Sequence, residues 1–222
     1  MIVIGRELLH YDKDNIRYYI NFPKIYNDKD SNKDEMLDLI NQIMFEDIMI
    51  FFEIVEDSYS DMSENNILIN SLTEFEVGLK TKDIVSIAIE FSQLTGILDI
   101  SYLKGYNYDL SLKREIKLQD LFKDDISFEA VLKKYLAEQI EKLIKDINIS
   151  KEYGVNKKII DNIYIDNESI FYFTKDYLIL PFSSCELSQD IINLVEFKVP
   201  FNKIYYYLSD YAIKKIVKKI IL

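Results

Sequence analysis

Gly105-Tyr106-Asn107-Tyr108-Asp109-Leu110, then Ile116-Lys117-Leu118-Gln119-Asp120-Leu121-Phe122, then a long amphipathic run opening at Ser127, is the stretch on which the fold turns. The first segment alternates as a strand does, the second reads as a turn, and the third has a helical period. Ser127 is placed to cap that helix. Phe128, Val131, Leu132, Tyr135, Leu136, Ile140, Leu143, Ile144 and Ile147 fall on one apolar side of it, with charged residues such as Lys133, Lys134 and Glu138 opposite. So wide an apolar side predicts a helix lying flat on a sheet.

Upstream, residues 16–25 alternate loosely and meet Pro23, which predicts an edge strand or one that stops there. Ser31-Asn32-Lys33-Asp34 resembles a capping box, and Met36, Ile40, Ile43, Met44, Ile48, Phe51 and Val55 recur at helical spacing, so a helix is expected over 34–53. The acidic run 56–66 has no period and reads as a solvated connection. Residues 72–79 and 84–91 flank Lys80-Thr81-Lys82-Asp83 as a hairpin, and 99–108 adds a third strand, which makes an antiparallel meander.

Downstream, strands are expected at 169–174, 177–182 and 195–201, the first two joined by the tight pair Lys175-Asp176. Ile213, Ile216, Val217, Ile220 and Ile221 oppose Lys214, Lys215, Lys218 and Lys219, which predicts a basic amphipathic C-terminal helix. It can pack on its own acidic domain, or contact a membrane surface or a partner. The expected class is α+β: antiparallel sheets, each covered by one long amphipathic helix. The chain divides into 1–98 (strand, helix, strands), 99–208 (strand, helix, strands) and a helix over 209–222.

Hydrophobic residues are 49% and charged residues 29% of the 222, which is globular rather than disordered. No run of about 18 apolar residues suggests a membrane span. The 17 Tyr accompany abundant Ile, Lys and Asn, as AT-rich codon use would give, and strand propensity accounts for them without a binding role. A formal charge of −11 disfavours nucleic acid, whose phosphates call for Lys and Arg, and favours cationic partners.

Catalytic constellations are not legible. The one His, His10, stands without a Ser or Cys nucleophile motif, and the one Cys, Cys185, has no adjacent base and no second thiol for a disulfide. Pairs such as Asp124-Asp125 are neighbours on a loop and lack the opposed geometry of glycoside hydrolysis. The five Gly form neither a phosphate-binding loop nor a calcium loop, so no cofactor and no metal are expected.

The opening stretch resembles the "N-Y-D-L … L-x-D-L-F" signature of the domain of unknown function 3298 (DUF3298) family. Ile170-Phe171-Tyr172-Phe173-Thr174-Lys175-Asp176-Tyr177-Leu178-Ile179-Leu180-Pro181-Phe182 resembles its hairpin, and Phe197-Lys198-Val199-Pro200-Phe201 its closing strand. Ile20-Asn21-Phe22-Pro23-Lys24-Ile25, with the strands that lead to Thr95-Gly96, is similar to the companion 4163-type module. Members include the extracytoplasmic region of the lysozyme-sensing anti-sigma factor RsiV and the N-terminal region of the peptidoglycan deacetylase PdaC.

The resemblance implies an RsiV/PdaC-like fold and a non-catalytic binding or sensing module for a cationic, lysozyme-like protein or a cell-wall component. Where the family has Y-T-G-G-A-H-G, this chain has Leu94-Thr95-Gly96-Ile97-Leu98-Asp99-Ile100. That turn (Leu94, Thr95, Gly96, Asp99) and the loop after residue 182 (Ser183, Ser184, Glu186) are the expected ligand-binding residues, because recognition concentrates on loops. Two other readings stand beside this one: a cytoplasmic or spore-associated interaction protein that kept the fold without the ligand, and, last, a cell-wall-active enzyme. The expected location is cytoplasmic if Met1 is the natural start and extracytoplasmic if the chain is an excised ectodomain.

Overall fold

The computed structural model describes residues 1–28, 34–62, 67–96, 99–145, 163–183, 186–187 and 194–217. Strands β1 (Ile2–Lys13), β2 (Ile16–Asn27), β3 (Ile69–Lys80), β4 (Ile84–Leu94), β5 (Ile100–Asp109) and β6 (Arg114–Glu115) form a six-stranded sheet in sequence order. Strands β7 (Tyr172–Phe173), β8 (Tyr177–Phe182) and β9 (Val195–Pro200) form a second, three-stranded sheet. Helix α1 spans Glu35–Met62 and helix α2 spans Phe128–Lys145. The chain is therefore α+β with two sheets.

The first sheet is not wholly antiparallel. The β2 and β3 strands run parallel over Ile16–Ile20 and Ile69–Thr73, because α1 carries the chain back to the end from which β2 started. The hairpin of β3 and β4 and the third strand, β5, follow the expected meander. The expected division at residue 98 falls between β4 and β5, which are hydrogen-bonded neighbours.

Strand β1 has no counterpart in the sequence reading. It pairs with β2 along its whole length through the two-residue loop Asp14-Asn15, where Asp14 has φ 55°. As a result β2 is an interior strand rather than an edge, and Pro23 sits opposite Arg6. Proline is accommodated there by direction. Asn21 turns its N–H and C=O to Thr73 Oγ1 (3.0 and 2.9 Å), and Ile25 turns its own to the Asn41 side chain (2.8 Å each). By the strand's alternation Pro23 faces the same side, where β3 no longer pairs, so no ladder bond is lost.

Helix α1 runs nine residues beyond the expected 34–53 end, and the acidic run from Glu56 to residue 62 is helical rather than a connection. Glu56 is tied down by Lys13 at 2.7 Å and by the Tyr18 hydroxyl at 3.4 Å. Asp34 caps the start: its Oδ1 accepts from the N–H of Met36 (3.1 Å) and of Leu37 (3.4 Å). Ser31, Asn32 and Lys33 lie outside the described residues. In α2 the Ser127 hydroxyl accepts from Ala130 N–H at 3.4 Å, as expected of a cap.

Ile40, Met44, Ile48, Phe51 and Val55 of α1 share a core with Tyr18 and Ile20 of β2, Ile87 and Phe91 of β4 and Tyr106 of β5. On the far side of the sheet, Phe128, Leu132, Leu136 and Ile140 of α2 share a second core with Leu178, Leu180, Phe197 and Val199. Between the sheets lie Ala88, Leu103, Tyr172 and Ile179. Strand β4 is covered on both faces, and Ile84 through Ile89 are all buried in consequence.

What joins the sheets is backbone laid across the first sheet at β7. Asn107 Nδ2 donates to Phe171 O (2.8 Å), Ser86 Oγ accepts from Phe173 N–H (2.9 Å), and Ser86 Oγ donates to Asn107 Oδ1 (2.7 Å). All four residues of this hook are buried, so each bond is made where water cannot replace it. Two glycines give the room. A Cβ on Gly105 would stand 1.8 Å from Phe171 O, and one on Gly78 would stand 2.5 Å from Phe173 O. Gly78 also sits where the register of β3 slips against β4.

Asp109, fully buried, closes the next turn. Its Oδ1 accepts from Ser111 N–H (2.9 Å), Ser111 Oγ (2.6 Å) and Leu112 N–H (2.9 Å), and its Oδ2 from Tyr211 (3.0 Å). Burial pushes its carboxyl up, but these donors and the nearby Lys215 ammonium outweigh that and hold it below the usual range. Asp120 accepts from Lys117 N–H (2.8 Å) and Arg114 (2.6 Å), while Leu118, Leu121 and Phe122 fill the core.

Of the helix expected over 209–222, residues 210–217 are described and are helical, though not α-helical throughout. Asp210–Ala212 is one helical turn capped by Ser209, and Ile213–Val217 is wound as a π-helix. Ile216 and Val217 are buried against the body, Lys215 bonds Ser111 Oγ (2.8 Å), and Lys214 pairs with Asp210 (2.9 Å). Residues 218–222, with Lys218, Lys219, Ile220 and Ile221, lie outside the described residues, as do Ile147 and the connection 148–162.

Gly105→Ala sets a methyl against the Phe171 carbonyl, a backbone clash that a rotamer change does not relieve. The expected loss is about 3 kcal/mol, or a Tm lower by roughly 6–12 °C in a chain of this size, read by thermal denaturation; an unchanged Tm would mean that β7 does not lie there. Asp109→Asn is expected to cost roughly 2 kcal/mol at neutral pH. Because the folded carboxyl is depressed, its contribution is complete above the unfolded value near 4 and fades as pH falls through the folded one. Denaturant titrations below pH 5 should therefore fall more steeply for the parent than for the variant.

Candidate functional site

The alternation of strands sorts side chains between the two faces of the first sheet. On β3, Phe75 points towards α1, while Glu74, Glu76 and Gly78 point towards the second sheet; on β4, Ala88 and Glu90 do the same. The second sheet covers only part of this face. Where it stops, Glu74, Glu76, Glu90, Ala88 and Leu103 form the floor of a cleft of about 510 Å³, and Tyr172, Leu194, Glu196 and Lys198 form its wall.

Among the described residues, four carboxyl groups thus line the cleft against one ammonium, that of Lys198. The Tyr172 hydroxyl is the bridge between the sheets, 2.8 Å from Glu196 Oε1 and 3.3 Å from Glu76 Oε2. Burial first, then the bond to Glu196 and the charges of Glu196 and Glu76, push this phenol well above its ordinary value. It is a fixed donor and not a base. Glu74 accepts from the amide of Asn21, a buried residue of β2, and Glu90 accepts from Ser92 Oγ at 3.1 Å.

The described residues contain no group of three or more His, Cys, Asp or Glu placed to hold a metal ion. The carboxylates ring the cleft rather than converge on an ion-sized point. Such a ring suits an organic cation, a Lys or Arg side chain, whose donors spread over several ångströms.

A second cleft, of about 370 Å³, lies between α1, β5 and residues 167–171, but its charges, Glu115 apart, are paired internally. Asp47 accepts from Lys104 (2.5 Å) and from the Tyr106 hydroxyl (2.8 Å), and Lys117 stands 3.7 Å from Glu168. Burial and Asp47 together push the Tyr106 phenol far up. This arrangement ties α1 to the sheet and leaves little for a ligand.

None of the described residues expected to bind, Leu94, Thr95, Gly96, Asp99, Ser183 and Glu186, lines the acidic cleft. Leu94 ends β4, opposite Asn70. Thr95 N–H and Gly96 N–H both donate to Asp99 Oδ1 (2.8 and 3.0 Å), and Gly96 takes φ +73°, so Asp99 clasps its own turn. Ser183 N–H donates to Glu186 Oε2 at 2.7 Å, so Glu186 closes its own loop in the same way. Ser184 lies outside the described residues, with Cys185, Ile97 and Leu98. The two loops sit at the ends of different sheets.

The cleft residues had a signal in the sequence: Glu74 and Glu76 alternate around Phe75, and Glu196 and Lys198 around Phe197. An alternating acid reads as the solvent side of a strand, and only the docking of the second sheet makes that side a wall.

Residues 119–202 match the family model "Protein of unknown function (DUF3298)". The fold is similar to that of a DUF3298-family protein from Bacteroides fragilis, at 18% identity over 98% of each chain and a TM-score of 0.61. It is also similar to a DUF3298-family protein from Pseudomonas aeruginosa, at 11% identity over 95% of each chain and a TM-score of 0.56. No curated protein matches the chain. The matched segment begins at Gln119 and ends at Asn202, and so takes in α2 and all of the second sheet.

Tyr172→Phe removes the hydroxyl that bridges the carboxylates of the two sheets and leaves the ring in place. The expected cost is about 1.5–3 kcal/mol, as for a hydrogen bond to a charged group. Equilibrium unfolding measures it, and Glu196→Gln in the same background should then add little, since the pair acts as a unit.

Proposed function

We propose that this chain, which carries a DUF3298 domain at residues 119–202, is a non-catalytic binding module that receives a cationic group of a partner protein in the cleft between its two sheets. The single observation that carries the reading is the lining of that cleft: Glu74, Glu76, Glu90 and Glu196 around a protonated Tyr172, with Lys198 as the opposing charge. A Lys or Arg side chain entering it would exchange water for charge-assisted bonds, while Leu103, Ala88 and Leu194 take up its methylene stem. The chain's charge of −11 speeds the approach of a basic protein.

The resemblance to the RsiV and PdaC modules bears on the identity of that partner and makes a lysozyme-like protein the first to try. It also supports reading the N-terminal half as 4163-type, with a long helix laid on each sheet as those modules would have it. A membrane surface or a second partner for the C-terminal turns has less behind it, since Ile216 and Val217 are already buried within the chain.

Calorimetric titration with a C-type lysozyme tests the reading. Saturable binding is expected to persist at about 0.15 M salt, where charges beyond roughly 8 Å are screened. Glu74→Gln with Glu90→Gln should weaken it at least about tenfold, the equivalent of 1.4 kcal/mol. Binding seen only at low salt, or binding indifferent to the cleft variants, would overturn the cleft as the site.

A further inference from the structure

Opposite the cleft, on the other side of the first sheet, α1 shows solvent a face of unusual composition. Eight of its 28 residues are Asp or Glu and none is Lys, Arg or His. The buried side, Ile40, Met44, Ile48, Phe51 and Val55, already satisfies the sheet. Yet Leu39, Phe45, Met49, Ile50 and Ile54, on the outer half, remain 42–50% exposed. These share the exposed side with Glu46, Glu53 and Asp57, whereas a helix facing water ordinarily turns polar residues to it.

The outer residues are ordered. Leu39 and Ile50 are eleven residues apart and share one azimuth, with Ile54 one turn further, so they form a row about 22 Å long. Glu46 and Glu53 lie beside this row and Asp57 lies at its end. The cations near α1 sit at its base, where Lys104 is bound to Asp47 and Lys13 to Glu56. Among the described residues no ion pair engages Glu46, Glu53 or Asp57.

We propose that this outer face of α1 is a docking surface for an amphipathic helix of a partner protein, about four turns long, whose apolar stripe is bordered by Lys and Arg. The charge pattern selects this occupant. A second copy would set one cation-free acidic helix against another on chains that each carry a charge of −11. An anionic bilayer is repelled for the same reason. The chain's own basic turn, Ile213–Val217, has its apolar side buried against the body. A basic helix instead covers the apolar row and pairs Glu46, Glu53 and Asp57 at its rim, the groove-and-anchor arrangement of helical recognition. This surface is separate from the cleft and stands whether or not the cleft binds.

The test uses the full chain and a labelled 18-residue Leu/Lys amphipathic helical peptide, followed by fluorescence anisotropy at about 0.15 M salt. A peptide of identical composition, scrambled to abolish the stripe, is the control for charge alone. The expected result is saturable binding of the helical peptide, at least tenfold tighter than the scramble. Ile50→Ser with Ile54→Ser, both exposed and so compatible with folding, should weaken it at least tenfold, and Glu53→Gln with Asp57→Asn should flatten its salt dependence.

Equal affinity for the two peptides, or no effect of the Ile variants, overturns the proposal. So does a dimer seen by light scattering and abolished by the same variants, which would assign the face to a second copy, and so does binding to anionic vesicles through it. Peptide binding lost instead on Glu90→Gln with Glu196→Gln would put the helix in the cleft; that outcome supports the cleft reading and overturns this one.

Discussion

The structure depends on one buried hook. The six-stranded sheet and the three-stranded sheet share a thin apolar layer around Ala88, Leu103, Tyr172 and Ile179, and the buried polar fastening is Ser86 and Asn107, each bonded to the other and to the backbone of residues 171–173. Such bonds hold only at close backbone approach, and Gly105 and Gly78 supply that closeness by having no side chain. Leaving any of these groups unpaired in a dry interface would cost more than the bond itself contributes. Once β7 is fixed across β3, β4 and β5, the position of the second sheet follows, and with it the position of α2 and of the cleft wall.

The same docking accounts for the cleft. Tyr172 belongs to the strand that the hook holds, and its hydroxyl reaches Glu196 on one sheet and Glu76 on the other. Acidic residues that would otherwise be ordinary solvent-facing positions are gathered there into one concavity. On the other side of the sheet, α1 gathers a second acidic surface, this one mixed with apolar side chains. A chain of strong negative charge thus presents two different kinds of acidic surface, one a ring for a single cationic group and one a strip for a basic helix.

The helix beginning at Phe128, its Ser127 cap, the meander through β5 and the hairpin at Lys175-Asp176 were readable because period, cap and turn chemistry are local. Strand β1 was not, since Gly5-Arg6-Glu7 interrupts its apolar pattern and its partner is found only through the Asp14 turn. The acidic end of α1 resembles a loop in sequence because charge without period looks solvated, whereas Lys13 and Tyr18 from the neighbouring sheet hold Glu56 in the helix. The turn at Asp99 and the loop at Glu186 are the ligand loops the sequence suggests; in the structure Asp99 accepts from two amides of its own turn and Glu186 from one of its own loop.

Local pattern by itself determined the α+β class, the two long helices and most strands, and the resemblance of residues 105–122 led to the DUF3298 domain, because periodicity and short motifs depend on neighbours in the chain. Tertiary structure alone decided that β2 and β3 run parallel, that Asn107 and Asp109 of that stretch serve as a hook and a clasp, and which acids share a cleft. The reason is separation: Asn107 meets a carbonyl 64 positions away and Tyr172 a carboxylate 96 positions away. No period or motif encodes partners that only the packing of two sheets brings within 3 Å or so of each other.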